Sequence, residues 1–99
     1  MQWADRIGSR LKLRDLHILL SVVQHGSMAK AAAELAISQP AVSKAIADME
    51  NTFGLRLLDR GRNGIQPTAY GRALVTRGQV VFDELKHGVE ELASLADPT

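Results

Sequence analysis

The sequence contains no cysteine. That excludes disulfides and thiolate metal sites, and it fits a reducing compartment, read here as the cytoplasm. No apolar run is long enough to span a bilayer. The opening stretch, MQWADRIGSR, carries Asp5 and has no apolar core, so it is not a secretory signal. The histidines His17, His25 and His87 are too widely spaced for a metal-ligand pattern. Asp15, Asp48, Ser21 and Ser43 would complete a catalytic triad only on paper, because no nucleophile elbow or oxyanion site accompanies them. Gly61-Arg62-Asn63-Gly64 lacks the lysine and the following helix of a phosphate loop. Neither an internal repeat nor a low-complexity tract occurs. These absences predict a chain that is not an enzyme and takes no cofactor, no metal and no small-molecule ligand.

What is present is one small domain's worth of residues, 99 in all, of which 45% are hydrophobic, enough for one modest core. The net charge of +1 says little, but its distribution says more. Between Arg56 and Arg77 five arginines (Arg56, Arg60, Arg62, Arg72, Arg77) face one acid, Asp59. From Asp83 to Asp97 five acids (Asp83, Glu84, Glu90, Glu91, Asp97) face Lys86. One end suits a polyanion and the other does not.

Residues 1–10 lack helical periodicity and read as a loose N-terminal arm bearing Arg6 and Arg10, with Trp3 either packed or exposed. A first helix spans about Leu13 to Gln24. Its apolar stripe is Leu16, Leu19, Leu20 and Val23, with Arg14, Asp15, His17 and Ser21 mostly off it. Gly26 stops it and Ser27 caps the next. That second helix, about Met28 to Leu35, is rich in alanine, which favours helix and lets a neighbour approach at Ala32. Ser38 caps a third helix with Pro40 in its first turn, where a missing N–H costs nothing. Val42, Ala45, Ile46, Met49 and Phe53 point inward. Gln39, Ala41, Ser43, Lys44 and Asp48 point out. Leu57, Leu58 and Ile65 around Gly61–Gly64 read as a small hairpin with arginine at its tip, and Pro67 suits an edge.

Thr68 caps a last helix, about Ala69 to Leu95. Leu74, Val81, Leu85, Leu92 and Leu95 form a heptad-like seam when Gly78 and Gly88 fill the missing positions. With the core already made, this seam is expected to seek a second chain. The glycines either admit a close helix or mark bends.

The pair of helices within Met28–Asn51 has the form of a helix-turn-helix. The third helix exposes short side chains with a few donors and acceptors, which is what entry into a DNA groove requires. Gln39 can read adenine, Pro40 and Ala41 can touch a thymine methyl, Ser43 can meet base or phosphate, and Lys44 can reach phosphate or guanine. Arg60, Arg62 and Asn63 lie at the hairpin turn, where a narrow minor groove attracts arginine. Lys30 and Thr68 are candidate phosphate contacts. Arg14 and Arg72 suit either the DNA backbone or plain surface, and Arg77 reads as surface.

Gly26-Ser27, Ala31-Ala32, Leu35, Ser38 to Ser43, Ile46, Glu50, Phe53-Gly54, Leu57-Leu58-Asp59-Arg60 and Thr68 with Gly71 together resemble the N-terminal domain of LysR-type transcriptional regulators. The resemblance covers roughly Leu11 to Leu95. It implies a mainly α winged helix-turn-helix over 11–68, three helices plus a small β-hairpin wing, followed by a linker and dimerisation helix over 69–97. It places Ser38, Gln39, Pro40, Ala41, Ser43 and Lys44 at the major groove and Arg62 and Asn63 at the minor groove of double-stranded DNA. It further implies a homodimer through the linker helix, tetramers when full length, and a roughly palindromic operator. The sequence departs from the family pattern at Lys44, where many members carry arginine, and at Ala41, where many carry a second proline. Both bear on sequence preference. The effector-binding domain of the family is absent, so the chain is expected to be a fragment of a longer regulator or a short relative. A winged-helix regulator of another type, such as the molybdate-responsive one, shares the Ser-Gln-Pro start. A helical module that binds protein would account for the acidic last helix but not for the arginine-tipped hairpin.

Overall fold

A computed structural model describes residues 7–97. Trp3 and Arg6 of the expected arm lie outside the described residues. The elements run α1 (Leu13–His25), α2 (Met28–Leu35), α3 (Gln39–Phe53), β1 (Leu58–Gly61), β2 (Gly64–Pro67) and α4 (Ala69–Ala96). This is a mainly helical fold with a two-stranded antiparallel wing and a long last helix.

The part of the arm that is described is not loose. Leu11 N and Arg10 N both donate to Ile7 O, at 2.8 and 3.0 Å, and the turn they close buries Ile7. A single apolar residue with no periodic neighbour gave no pattern signal there.

Each helix end has an identifiable cause. Gly26 and Gly54 stop α1 and α3 in the left-handed conformation at φ 67°. α2 ends differently: Ala36 takes φ 56°, a conformation costly for a side chain, and this makes the tight turn into α3. At the other ends, Ser27 accepts from Lys30 N, Ser38 from Ala41 N and Thr68 from Gly71 N, each satisfying an amide with no helical partner.

The core gathers Ile18, Leu19 and Val22 of α1, Ala31 and Ala32 of α2, Val42, Ala45, Ile46 and Met49 of α3, and Leu57 and Leu58 leading into β1. The inward face expected for α3 is the one observed, with Phe53 half-buried at its end. α1 differs from its expected single stripe. Ile18 and Val22 are deeper than Leu20 and Val23, and Asp15 and Ser21 are buried too. The reason is that α1 is packed on two sides, by α2 and α3 on one and by α4 on the other. Leu16 and Leu20 turn to α4, so the helix carries two adjoining apolar faces. Ser21 Oγ, buried between them, has no hydrogen-bond partner among the described residues.

The first half of α4 therefore does have a partner within the chain. Gly71 and Gly78 are its buried residues, and Leu74 and Val75 pack on the core. A Cβ at Gly78 would lie 3.0 to 3.2 Å from the side chains of Leu20 and Leu16. A Cβ at Gly71 would lie 2.0 Å from Leu57 O, so only glycine lets α4 start against the strand. Phe82 closes this contact against His17, ring centroids 5.4 Å apart. Beyond Phe82 the helix leaves the body, and Leu85, Val89, Leu92 and Leu95 are exposed. Among the described residues no helix is long and apolar enough to cross a membrane.

Candidate nucleic-acid interface

Three elements meet around one shallow groove of about 270 Å³. Ser27 and Ala29 come from the start of α2, Gln39 from the start of α3, and Arg60, Gly61 and Gly64 from the wing. The wing is held in place by backbone. Ile65 N donates to Gly26 O at 3.4 Å, and Gly64, at φ 92°, lies so near that a Cβ would be 3.1 Å from that same oxygen. The strand register pairs Leu58 with Pro67, Asp59 with Gln66, Arg60 with Ile65 and Gly61 with Gly64, which puts Arg62 and Asn63 at the tip.

The exposed polar groups of this surface fall into free and engaged sets. Gln39, Lys30, Arg62 and Asn63 are exposed, and among the described residues their side chains hold no hydrogen bond or ion pair. Pro40 is exposed beside them, with Ala41 and Ser43 half-exposed. Ser38 accepts from Ala41 N at 3.2 Å but keeps its own proton. Lys44 Nζ is 2.7 Å from Asp48. That hydrogen bond, with the carboxylate's charge, raises the lysine above its ordinary pKa and keeps it charged.

Two of the candidate contacts are engaged within the fold. Asp59 takes Arg56 at 3.4 Å, while Arg60 Nη2 donates to Met28 Sδ at 3.6 Å. In the antiparallel pleat neighbouring side chains point to opposite faces, so Arg60 turns toward α2 and away from Asp59. Thr68 is committed inside the fold. Its hydroxyl donates to Arg56 O at 2.6 Å and accepts from Gly71 N at 3.1 Å, so the one proton a phosphate would need is taken.

The surface is thus a helix start flanked by a cationic hairpin that is anchored to the turn at Gly26. The model of the bacterial regulatory helix-turn-helix proteins of the lysR family matches residues 13–72, more than half of the sequence. The chain belongs to the lysR family. It is 36% identical over 87 residues to the HTH-type transcriptional regulator GbpR of Azospirillum brasilense, covering 88% of this chain and 25% of GbpR. It is 41% identical over 85 residues to the HTH-type transcriptional regulator YdcI of Escherichia coli (strain K12), covering 86% of this chain and 28% of YdcI. The chain therefore spans about a quarter of the length of these relatives. Its fold is similar to BenM DBD in its complex with catB site 1 DNA, with a TM-score of 0.85, 28% identity, and coverage of 90% of this chain and 99% of that one. It is likewise similar to CbnR DBD in a DNA complex, with a TM-score of 0.79, 28% identity, and coverage of 88% and 100%.

One lysR-family residue does work that the sequence did not disclose. Glu50, half-buried on α3, accepts from Leu57 N at 2.8 Å and from Leu58 N at 3.4 Å. It ties the end of the helix-turn-helix to the strand that starts the wing. An acid beside the inward-facing Met49, followed a turn later by Phe53, was the available signal: a carboxylate near a core needs donors, and the next free amides are those after Gly54.

Proposed function

We propose that this chain is the DNA-reading part of a transcription regulator and acts in the cytoplasm on double-stranded DNA. The start of α3 enters the major groove, with Gln39, Pro40, Ala41 and Ser43 at base edges and Ser38 and Lys44 at phosphate or base. The wing tip, Arg62 and Asn63, follows the adjacent minor groove. Lys30 serves a phosphate and Arg60 contacts the backbone beside the groove it lines. The observation that carries this reading is the set of unpartnered donors Gln39, Lys30, Arg62 and Asn63, exposed on elements that share one groove. A second support is the resemblance to domains solved on DNA.

The unit of binding is a homodimer through α4. Val81, Leu85, Leu92 and Leu95 are exposed along one seam and, among the described residues, are not part of the core. Leu74, also expected there, is already half-buried on the core and adds only its outer edge. Read backwards about Asp83, Leu74 faces Leu92 and Val81 faces Leu85, while Leu95 falls opposite Gly71. Arg72 and Arg77 lie on one end of α4 and Glu84, Glu90 and Glu91 on the other. Both features favour an antiparallel pair, since a parallel one would stack acid on acid. A two-fold pair implies an operator of two inverted half-sites.

Fluorescence anisotropy with a mixed-sequence duplex tests the reading. Binding is expected at low salt and should weaken steeply as salt rises, since each neutralised phosphate contributes roughly one unit to the log–log slope. Arg62→Ala should lower that slope by about one and Gln39→Ala should weaken discrimination between sequences. No binding at low salt, or none of these changes in the double variant, would reject it.

A further inference from the structure

We propose that the cleft between α1, the end of α2 and the middle of α4 binds a small organic cation, an aliphatic diamine held between Glu34 and Asp83. The cleft has a volume of about 460 Å³, within the range of small-molecule sites. α1 forms its floor through Leu20 and Ser21. Glu34 and Leu35 of α2 make one wall, and Phe82 and Asp83 of α4 make the other. The cleft exists because α2 and α4 both pack on α1 but share no substantial contact with each other. No spacing in the sequence marks it, since its walls come from three helices, and it departs from the expectation of a chain without a small-molecule ligand.

Two independent observations point to a ligand. Ser21 lines the cleft at only 6% exposure, and its Oγ has no hydrogen-bond partner among the described residues. A helical serine or threonine commonly returns its proton to the carbonyl four residues back. Thr52 does so to Asp48 O at 2.9 Å and Thr76 to Arg72 O at 3.0 Å. Ser21 makes no such bond, so its hydroxyl is left for an outside group. The second observation is charge. Glu34 and Asp83 are exposed, and among the described residues neither holds a hydrogen bond or an ion pair. Of the other lining residues only His17 and His25 can carry charge, and no lysine or arginine lines the cleft. Carboxylates without a basic partner draw a cation. Among the described residues no three acid and imidazole groups are placed to hold a metal ion, so the cation that suits the cleft is organic.

The lining decides the shape of that cation. Between the two acids the surface is apolar, from Leu20, Leu35 and Phe82, all half-buried. The Phe82 ring stands against His17 and offers a face that a cation tolerates. Two charged ends and an apolar middle describe a diamine: its methylenes lie on the leucines, an ammonium meets each carboxylate, and the Ser21 hydroxyl accepts one ammonium proton. The cleft is also clear of the α4 seam. At about 100° per residue, Val81 and Leu85 lie on one side of the line through Gly78 and Phe82 that meets α1, and Gln79 and Asp83 lie on the other. A bound diamine ties α2 to α4 across α1 and stiffens the joint between the body and α4.

Titration of the isotope-labelled chain, free of DNA, with 1,4-diaminobutane tests this by amide chemical shifts. Saturable shifts are expected at Ser21, Leu35 and Phe82. Butane-1,4-diol, of the same length without charge, should produce none, and neither should magnesium chloride at matched ionic strength. Glu34→Gln and Asp83→Asn should each weaken the diamine roughly three- to fivefold, the scale of one exposed charge pair. Both side chains are exposed, so these variants keep the fold. Ser21→Ala should weaken binding while raising the Tm of the free chain, because it removes a hydroxyl that has no partner there. Glu90→Gln, an exposed acid further along α4 and outside the cleft, should change nothing. The absence of saturable shifts at the cleft would overturn the proposal. So would equal shifts with magnesium, or equal weakening by Glu90→Gln and Glu34→Gln, since either would mean diffuse attraction to an acidic helix.

Discussion

The body of the molecule and the outer half of α4 carry similar shares of apolar side chains and use them in opposite ways. In the body the main apolar faces are answered inside the chain: α1 by α2 and α3 on one side and by α4 on the other, and the wing by Leu57, Leu58 and the turn at Gly26, while Leu55 and Tyr70 stay exposed. After Phe82 the pattern continues at helical spacing with nothing behind it. Apolar periodicity states that a face will be covered, not by which molecule. Charge divides the same way. Five arginines lie between Arg56 and Arg77, on and around the wing, and five acids lie between Asp83 and Asp97 on the outer half of α4.

Alanine at the glycines of α4 separates the two regions most sharply. Gly71→Ala sets a Cβ against the carbonyl of Leu57 and should cost about 3 kcal/mol or prevent folding. Gly78→Ala meets only leucine side-chain ends and should cost less. Gly88→Ala meets nothing within 4 Å and should stabilise the helix by about 1 kcal/mol. Thermal unfolding at fixed protein concentration should therefore rank the variants Gly71, Gly78, Gly88 from least to most stable.

Truncated leucines should repeat the contrast. Leu19→Ala, in the centre of the core, should lose about 2–5 kcal/mol by urea unfolding. Leu95→Ala should change the stability of the isolated fold by less than about 0.5 kcal/mol. Its effect should appear in sedimentation, as a weaker dimer.

A smaller effect is expected at the tie between the reading helix and the wing. Glu50→Gln keeps the shape but removes the charge that two amides address, at a cost of about 1 kcal/mol. Faster hydrogen exchange at Leu57 and Leu58 should accompany it, together with a DNA-binding loss that is less than additive with Arg62→Ala, because both act through the wing.

The smallest change concerns Lys44. Asp48→Asn removes the hydrogen bond and the charge that hold its pKa up, and it also removes an anion near the DNA face. Binding at low salt should tighten by roughly two- to threefold and the gain should fade as salt rises. Since the lysine's pKa is raised in the fold, the contribution of the pair is fully present below the ordinary lysine value. It is lost only as pH rises through the raised one, so this effect should be flat across neutral pH.

Much of the fold was legible because local chemistry and burial agreed. Ser27, Ser38 and Thr68 mark helix starts, Gly26 and Gly54 mark ends, and α3 shows its inner face plainly. Legibility failed where one residue serves two surfaces. α1 is covered on two sides, so Asp15 and Ser21 are buried against their polarity. The seam of α4 adjoins a second, intrachain face, which drew Leu74 partly into the core. The candidate interface was readable as a set of residue types, but not as free and engaged members. Nothing in the sequence tells that the Thr68 hydroxyl is spent on Arg56 O, that Arg60 leans on Met28, or that Glu50 holds the strand, because each depends on a contact far along the chain.

Selection of duplexes from a random pool by the unmodified chain addresses the central claim most directly: the body reads bases and α4 duplicates the reading. The selected sequences should converge on two inverted half-sites with one preferred spacing, and Leu92→Glu should reduce this to weak single half-sites. Convergence on an unrepeated site by the unmodified chain, or no enrichment at low salt, would contradict the account.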